Sequence, residues 1–143
     1  MKRVCILLVF SAVLGCSIKQ RVTPIDPPTV MEICIIENPP VRPGFLREFR
    51  LALQEKGYTV PMLNEHAGIT DCDLVSTYTA RWSWDLAIYL SYAEIKVFYK
   101  GKMAGEAVYD ATRCGGRIFD KFIDAEPKIR ELVDELFGSS VSQ

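Results

Sequence analysis

Apolar and polar positions along this chain change their period several times, and each change marks an element. A run from Val4 to Leu14 carries no charged side chain, and the segment SIKQRVTPIDPPT after it has three prolines and no periodicity, which predicts an extended tether. VMEICII then places isoleucines on both faces and predicts a strand buried on both sides, ended by the turn ENPPVRPG. Through FLREFRLALQEK, the positions Phe45, Phe49, Ala52 and Lys56, with Leu46 and Leu53 beside them, keep helical spacing, and Gly57 stands where a helix ends. Three runs of strand character follow, LVSTYTARW, LAIYLSYAEIKVFY and MAGEAVYDA, with turns expected near Ser83-Trp84 and at Lys100-Gly101.

The two-residue loop Lys100-Gly101 sets Val97 opposite Ala104, Ile95 opposite Glu106 and Ala93 opposite Val108. Tyr92, Glu94, Lys96, Phe98, Met103 and Tyr109 are thereby assigned to a face suited to water, with Glu94 and Glu106 on opposite sides. DAEPKIRELVDELFG closes the pattern as a helix with Asp124 as cap and one apolar stripe of Ile129, Leu132, Val133, Leu136 and Phe137. The expected architecture is an α+β fold: an antiparallel four-stranded sheet with two amphipathic helices packed on one face.

The apolar run at the start follows Lys2 and Arg3 and stops at Gly15-Cys16, short of the roughly 20 residues a membrane-spanning helix needs. Its ending, Val13-Leu14-Gly15-Cys16, resembles the bacterial lipobox. The resemblance implies thioether lipidation of Cys16, cleavage before it, and, because Ser17 rather than Asp follows, sorting to the outer membrane with the domain facing the periplasm. Because a single acyl chain anchors only marginally, two or three would be needed to hold the protein stably. The expected organisation is a signal peptide over 1–15, lipidated Cys16 and tether over 16–29, a single domain over 30–138, and a disordered tail over 139–143.

Loss of residues 1–15 removes Lys2 and Arg3 and moves the formal charge from −1 to −3, without a basic stripe of the kind that binds nucleic acid. Chemistry is scarce. The single histidine, His66, sits in the loop-like NEHAGITD and matches no metal-binding or hydrolase motif, so it reads as a solvated loop residue. No GxSxG elbow or phosphate loop is present, and Glu131, Asp134 and Glu135 alternate with Lys128 and Arg130 as on a solvated helix face. The expectation is no catalytic residues, no metal and no cofactor; an enzyme would need His66 in a cleft with carboxylates.

Once Cys5 leaves with the signal and Cys16 takes up lipid, Cys34, Cys72 and Cys114 remain, an odd number. Cys72 and Cys114 fall at opposite ends of the central strand, and Cys34 reads as a small buried apolar residue. Three unpaired thiols is the favoured reading, with pairing left open.

The densest aromatic stretch is TARWSWDLAIY, where Trp82 and Trp84 stand two apart. Aromatics at that density serve either a core or a contact surface, and Arg81, Trp82, Trp84 and Asp85 are the candidate binding residues. The stretches TYTARWSWDLAIYLSYAEIKVFYKG and KFIDAEPKIRELVDELF, with the order strand, helix, meander, helix, resemble short Gram-negative lipoproteins and the small periplasmic domains of the TolB N-terminus and CsgG-type lipoproteins. The resemblance implies a non-enzymatic envelope protein that binds or helps assemble another envelope protein, and it brings no functional residues with it. The alternative is a glycan or small-molecule binder in cell-wall maintenance.

Overall fold

The structure, a computed structural model, describes residues 18–26, 29–85, 87–112 and 125–138. In chain order these form β1 (Lys19–Thr23), β2 (Cys34–Ile36), α1 (Pro43–Glu55), β3 (Met62–Leu63), β4 (Leu74–Asp85), β5 (Ala87–Tyr99), β6 (Lys102–Asp110) and α2 (Ala125–Phe137). Among the described residues the strands make one six-stranded sheet ordered β1-β6-β5-β4-β2-β3. The α+β class and the two helices are as expected, but the four-stranded antiparallel sheet is corrected to a six-stranded mixed one.

Two strands account for the difference. β2 lies parallel to both β4 and β3 because α1 carries the chain back across the sheet, as a parallel connection requires. β1 falls within the segment expected to be a tether, and it pairs antiparallel with β6 from Lys19↔Asp110 to Thr23↔Glu106. Its polar sequence suits an exposed edge, where lysine and arginine discourage further pairing. Side chains hold it as well, since Gln20 Nε2 donates to Glu131 Oε1 and Glu135 Oε1 of α2 at 2.8 and 2.9 Å, and just after the strand the backbone Ile25 N donates to Leu136 O at 2.9 Å.

The β5–β6 loop is Lys100-Gly101 as predicted, and both residues take positive φ, at 49° and 78°, the twist that a two-residue hairpin favours. The register beyond it is not as predicted. Phe98 faces Met103 but Val97 faces Gly105, so Ala104 is an extra residue and every later pair shifts by one. Tyr109 therefore turns into the core, and Glu106 joins Glu94 and Lys96 on the helix-free face. The bulge also sets Gly105 where the chain after β1 crosses: a β-carbon there would lie 2.7 Å from Thr23 O and 2.5 Å from Ile25 Cγ2.

Both helices cover the face that carries Tyr78, Ile95 and Ala107, three residues paired in one row. Phe45, Phe49, Ala52 and Leu53 of α1, and Ile129, Leu132, Val133 and Leu136 of α2, are buried, while Phe137 is half-buried against Tyr58. The helices run side by side in the same direction. Arg47 reaches Glu126 near their starts, Arg130 reaches Glu55 at 2.6 Å, and Lys56 reaches both Asp134 and the Gly138 carbonyl near their ends. The predicted cap Asp124 and the tail over 139–143 lie outside the described residues.

Cys34 is bonded to Cys72, with Cα atoms 6.3 Å apart, which corrects the expectation of three free thiols. The pairing follows from β2 lying beside β4. Ile33 and Ile35 point toward the helices, so Cys34 between them points to the other face and holds the loop before β4 against it. Cys114 lies outside the described residues.

Candidate functional site

The candidate residues occupy the far end of the β4–β5 hairpin. The two strands stay paired as far as Asp85↔Ala87, past the turn predicted near Ser83-Trp84. Between Arg81↔Tyr92 and Trp82↔Leu90 the strand β5 carries one extra residue, Ser91. This bulge is tied down on both sides, because Ser91 Oγ donates to Arg81 O at 3.1 Å and Ser91 O accepts from Ala111 N at 2.9 Å.

Alternation along β4 divides the predicted set. Trp82 lies on the helix side, half-buried, with its ring edge-on to Phe45 at 6.5 Å and the Arg42 guanidinium 5.1 Å above it. Phe45 in turn stacks on Tyr78 at 5.5 Å, and Tyr78 is fixed from behind by Asn38, whose amide Nδ2 donates to its carbonyl at 2.8 Å. Trp84, on the same side of the strand, passes beyond this cover and is 73% exposed, next to Ile88 at 56% on the facing strand. The side chain of Asp85 lies outside the described residues.

Arg81 faces the other way and lies 4.6 Å over the Tyr92 ring. It begins a polar row across the helix-free face: Tyr92 donates to Glu94 at 3.0 Å, Glu94 pairs with Lys96 at 2.8 Å, and Glu106 pairs with Arg21 at 3.0 Å. Partial burial alone would raise the Glu94 pKa. The hydrogen bonds from Lys96 and Tyr92 and the charges of Lys96 and Arg21 outweigh it, and the carboxyl is held below the usual glutamate range. The group's stabilisation is therefore present above the unfolded-state pKa, about 4.3, and is lost as pH falls through the lower folded value. Urea midpoints should fall between pH 7 and acid, and Glu94→Gln should make that fall shallower; an unchanged slope would mean the row is electrostatically idle.

The structure thus brings Trp82 and Trp84 to one side and sends Arg81 to the other, so the predicted residues make no single patch. Sequence reasoning missed Ile88, which alternation would have given once both strands were carried as far as the pair Trp84↔Ile88. His66 is a solvated loop residue, with its ring 3.6 Å from Glu65. No cluster of His, Cys, Asp and Glu among the described residues could hold a metal ion, and no helix among them is long and apolar enough to cross a membrane.

The fold defines a class: a single-sheet α+β domain with two parallel helices on one face of the sheet and, among the described residues, none on the other. The chain matches no family model and no curated protein. It is similar to a solved chain of the PelC dodecamer from Paraburkholderia phytofirmans, with TM-score 0.58 and 12% identity over 84% of this chain and 99% of that one. A second similar structure, the L103M variant of the same dodecamer, gives TM-score 0.53 and 9% identity over 82% of this chain and 92% of that one. At such identity the likeness is one of fold. Neither structure is a TolB or CsgG-type domain, the groups that the sequence pattern resembles.

Proposed function

We propose that this chain is a lipid-anchored lipoprotein of the outer membrane whose periplasmic domain has no enzymatic role and assembles with envelope proteins, further copies of itself included. The observation that carries the reading is the match to PelC chains over nearly their whole length, since those chains form dodecamers. Two features of this chain support it. Among the described residues the sheet ends in β1 on one side and β3 on the other, so a head-to-tail arrangement that closes into a ring has two different edges to join. The Cys34–Cys72 bond suits an oxidising compartment, where the lipobox around Cys16 would deliver the domain.

Crosslinking in intact envelopes followed by native mass measurement tests it. A ladder of multiples of the chain, or one fixed partner, is the expected result, and a monomer crosslinked to nothing would reject the assembly role. The anchor is tested separately. Cys16→Ser should abolish labelling by palmitate and leave the precursor uncleaved; a labelled, processed C16S protein would refute lipidation at this residue.

The glycan-binding reading has one observation in its favour, the bare indole of Trp84. Trp82 does not add a second platform, because Phe45 and Arg42 already occupy its edge and face. Titration with cell-wall oligosaccharides distinguishes the two readings: saturable binding lost in Trp84→Ala would favour the glycan.

A further inference from the structure

We infer that the tip of the β4–β5 hairpin, presenting Trp84 and Ile88, rests in the lipid surface to which Cys16 is anchored. The inference depends on the lipidation of Cys16 proposed above. It begins from the register across the sheet: Lys19 pairs with Asp110, Asp110 with Tyr92, and Tyr92 with Arg81, so these four residues form one row. β1 starts at that row and runs away from the hairpin tip, so the chain before Lys19 leaves the sheet at the tip's end. From Cys16 to Lys19 is three residues, a reach of at most about 11 Å. From the Arg81 row to Trp84 is also three residues, about 10 Å along a strand. A lipid on Cys16 therefore holds the bilayer within reach of the tip and leaves little slack to hold it away.

The side chains at the tip suit that place. Trp84 and Ile88 face each other across the hairpin and are the two most exposed large apolar side chains among the described residues. Solvent exposure of such a pair is unfavourable in water, whereas tryptophan favours the boundary between acyl chains and headgroups. Lys19 lies in the row behind them, and Arg42, stacked on Trp82, stands on the helix side of the same end, so cations are available to lipid phosphates.

The test uses the full lipidated chain in vesicles of phosphatidylethanolamine and phosphatidylglycerol with brominated acyl chains, which quench tryptophan on contact. The sequence has two tryptophans, so Trp82→Phe isolates Trp84, and the difference between wild type and Trp84→Phe gives the same signal without disturbing Trp82. Trp84 should lose most of its emission and shift to shorter wavelength, while Trp82 keeps its emission. Full emission from Trp84 at the wavelength of a solvated indole overturns the inference. Short-wavelength emission without quenching overturns it too, and assigns the tip to a second copy or another protein. The mass of the N-terminal peptide is measured on the same sample: a chain without lipid on Cys16 overturns the inference through its premise, whereas a lipidated chain with unquenched Trp84 overturns the inference alone.

Discussion

Removing the Cys34–Cys72 bond, through Cys34→Ala with Cys72→Ala or by reduction, lowers the free energy of unfolding by about 4 kcal/mol. The bond closes 38 residues of sequence, and loop-closure entropy for that length amounts to about 4 kcal/mol in the unfolded chain. A domain of this size is held by roughly 5 to 15 kcal/mol in all, so the reduced protein stands close to unfolding. The bond spans Phe45, Phe49 and Leu53 on α1 and all of β3, so the closed loop contains much of the core. Urea melts with and without reductant measure the difference. Coincident midpoints would mean that the loop before β4 is held by its other contacts and the bond adds nothing.

What the sequence reveals of this fold divides along local and non-local lines. The stripe of α2, the α1 spacing that ends at Gly57, and the Lys100-Gly101 hairpin each depend on residues within a few positions of one another, and each stands where periodicity places it. β1 was hidden because Lys19, Gln20 and Arg21 have no apolar signal; what makes them a strand is β6 and the carboxylates of α2, far away in sequence. The disulfide was hidden for the same reason, since Cys34 approaches Cys72 only after α1 has returned the chain to lie parallel. Bulges at Ala104 and Ser91 are single-residue shifts that no composition signals, yet one of them moves Tyr109 from the water face to the core. The division of the candidate site was within reach. Arg81 and Trp82 are neighbours on a strand, and alternation alone sends them to opposite faces.

Leu132→Ala lowers stability by about 2 to 5 kcal/mol, the range for emptying a leucine site in a core that relaxes only in part. Leu132 is fully buried in the stripe with Ile129, Val133 and Leu136, and α2 lies at once against β1, β5, β6 and α1, so little can collapse into the space. Its neighbour Glu131 is no simple surface residue. Glu131 Oε2 lies 2.7 Å from Lys128 Nζ, and Lys128 is buried over the Tyr109 ring. Glu131→Ala leaves that ammonium with Gln20 alone and should cost about 1 to 3 kcal/mol, as for a buried polar group that loses its main partner. Glu135→Ala removes one exposed hydrogen bond, and Gln20 still keeps Glu131, so a change within about 0.5 kcal/mol is expected. The order Leu132, Glu131, Glu135 in urea midpoints therefore tests two claims together: that α2 packs by this stripe, and that the Gln20–Glu131–Lys128 group fastens β1 to the helix. Leu132 and Glu135 falling equally would mean α2 lies by another face. Glu131 behaving like Glu135 would keep the stripe and leave β1 held by its backbone pairing with β6 alone.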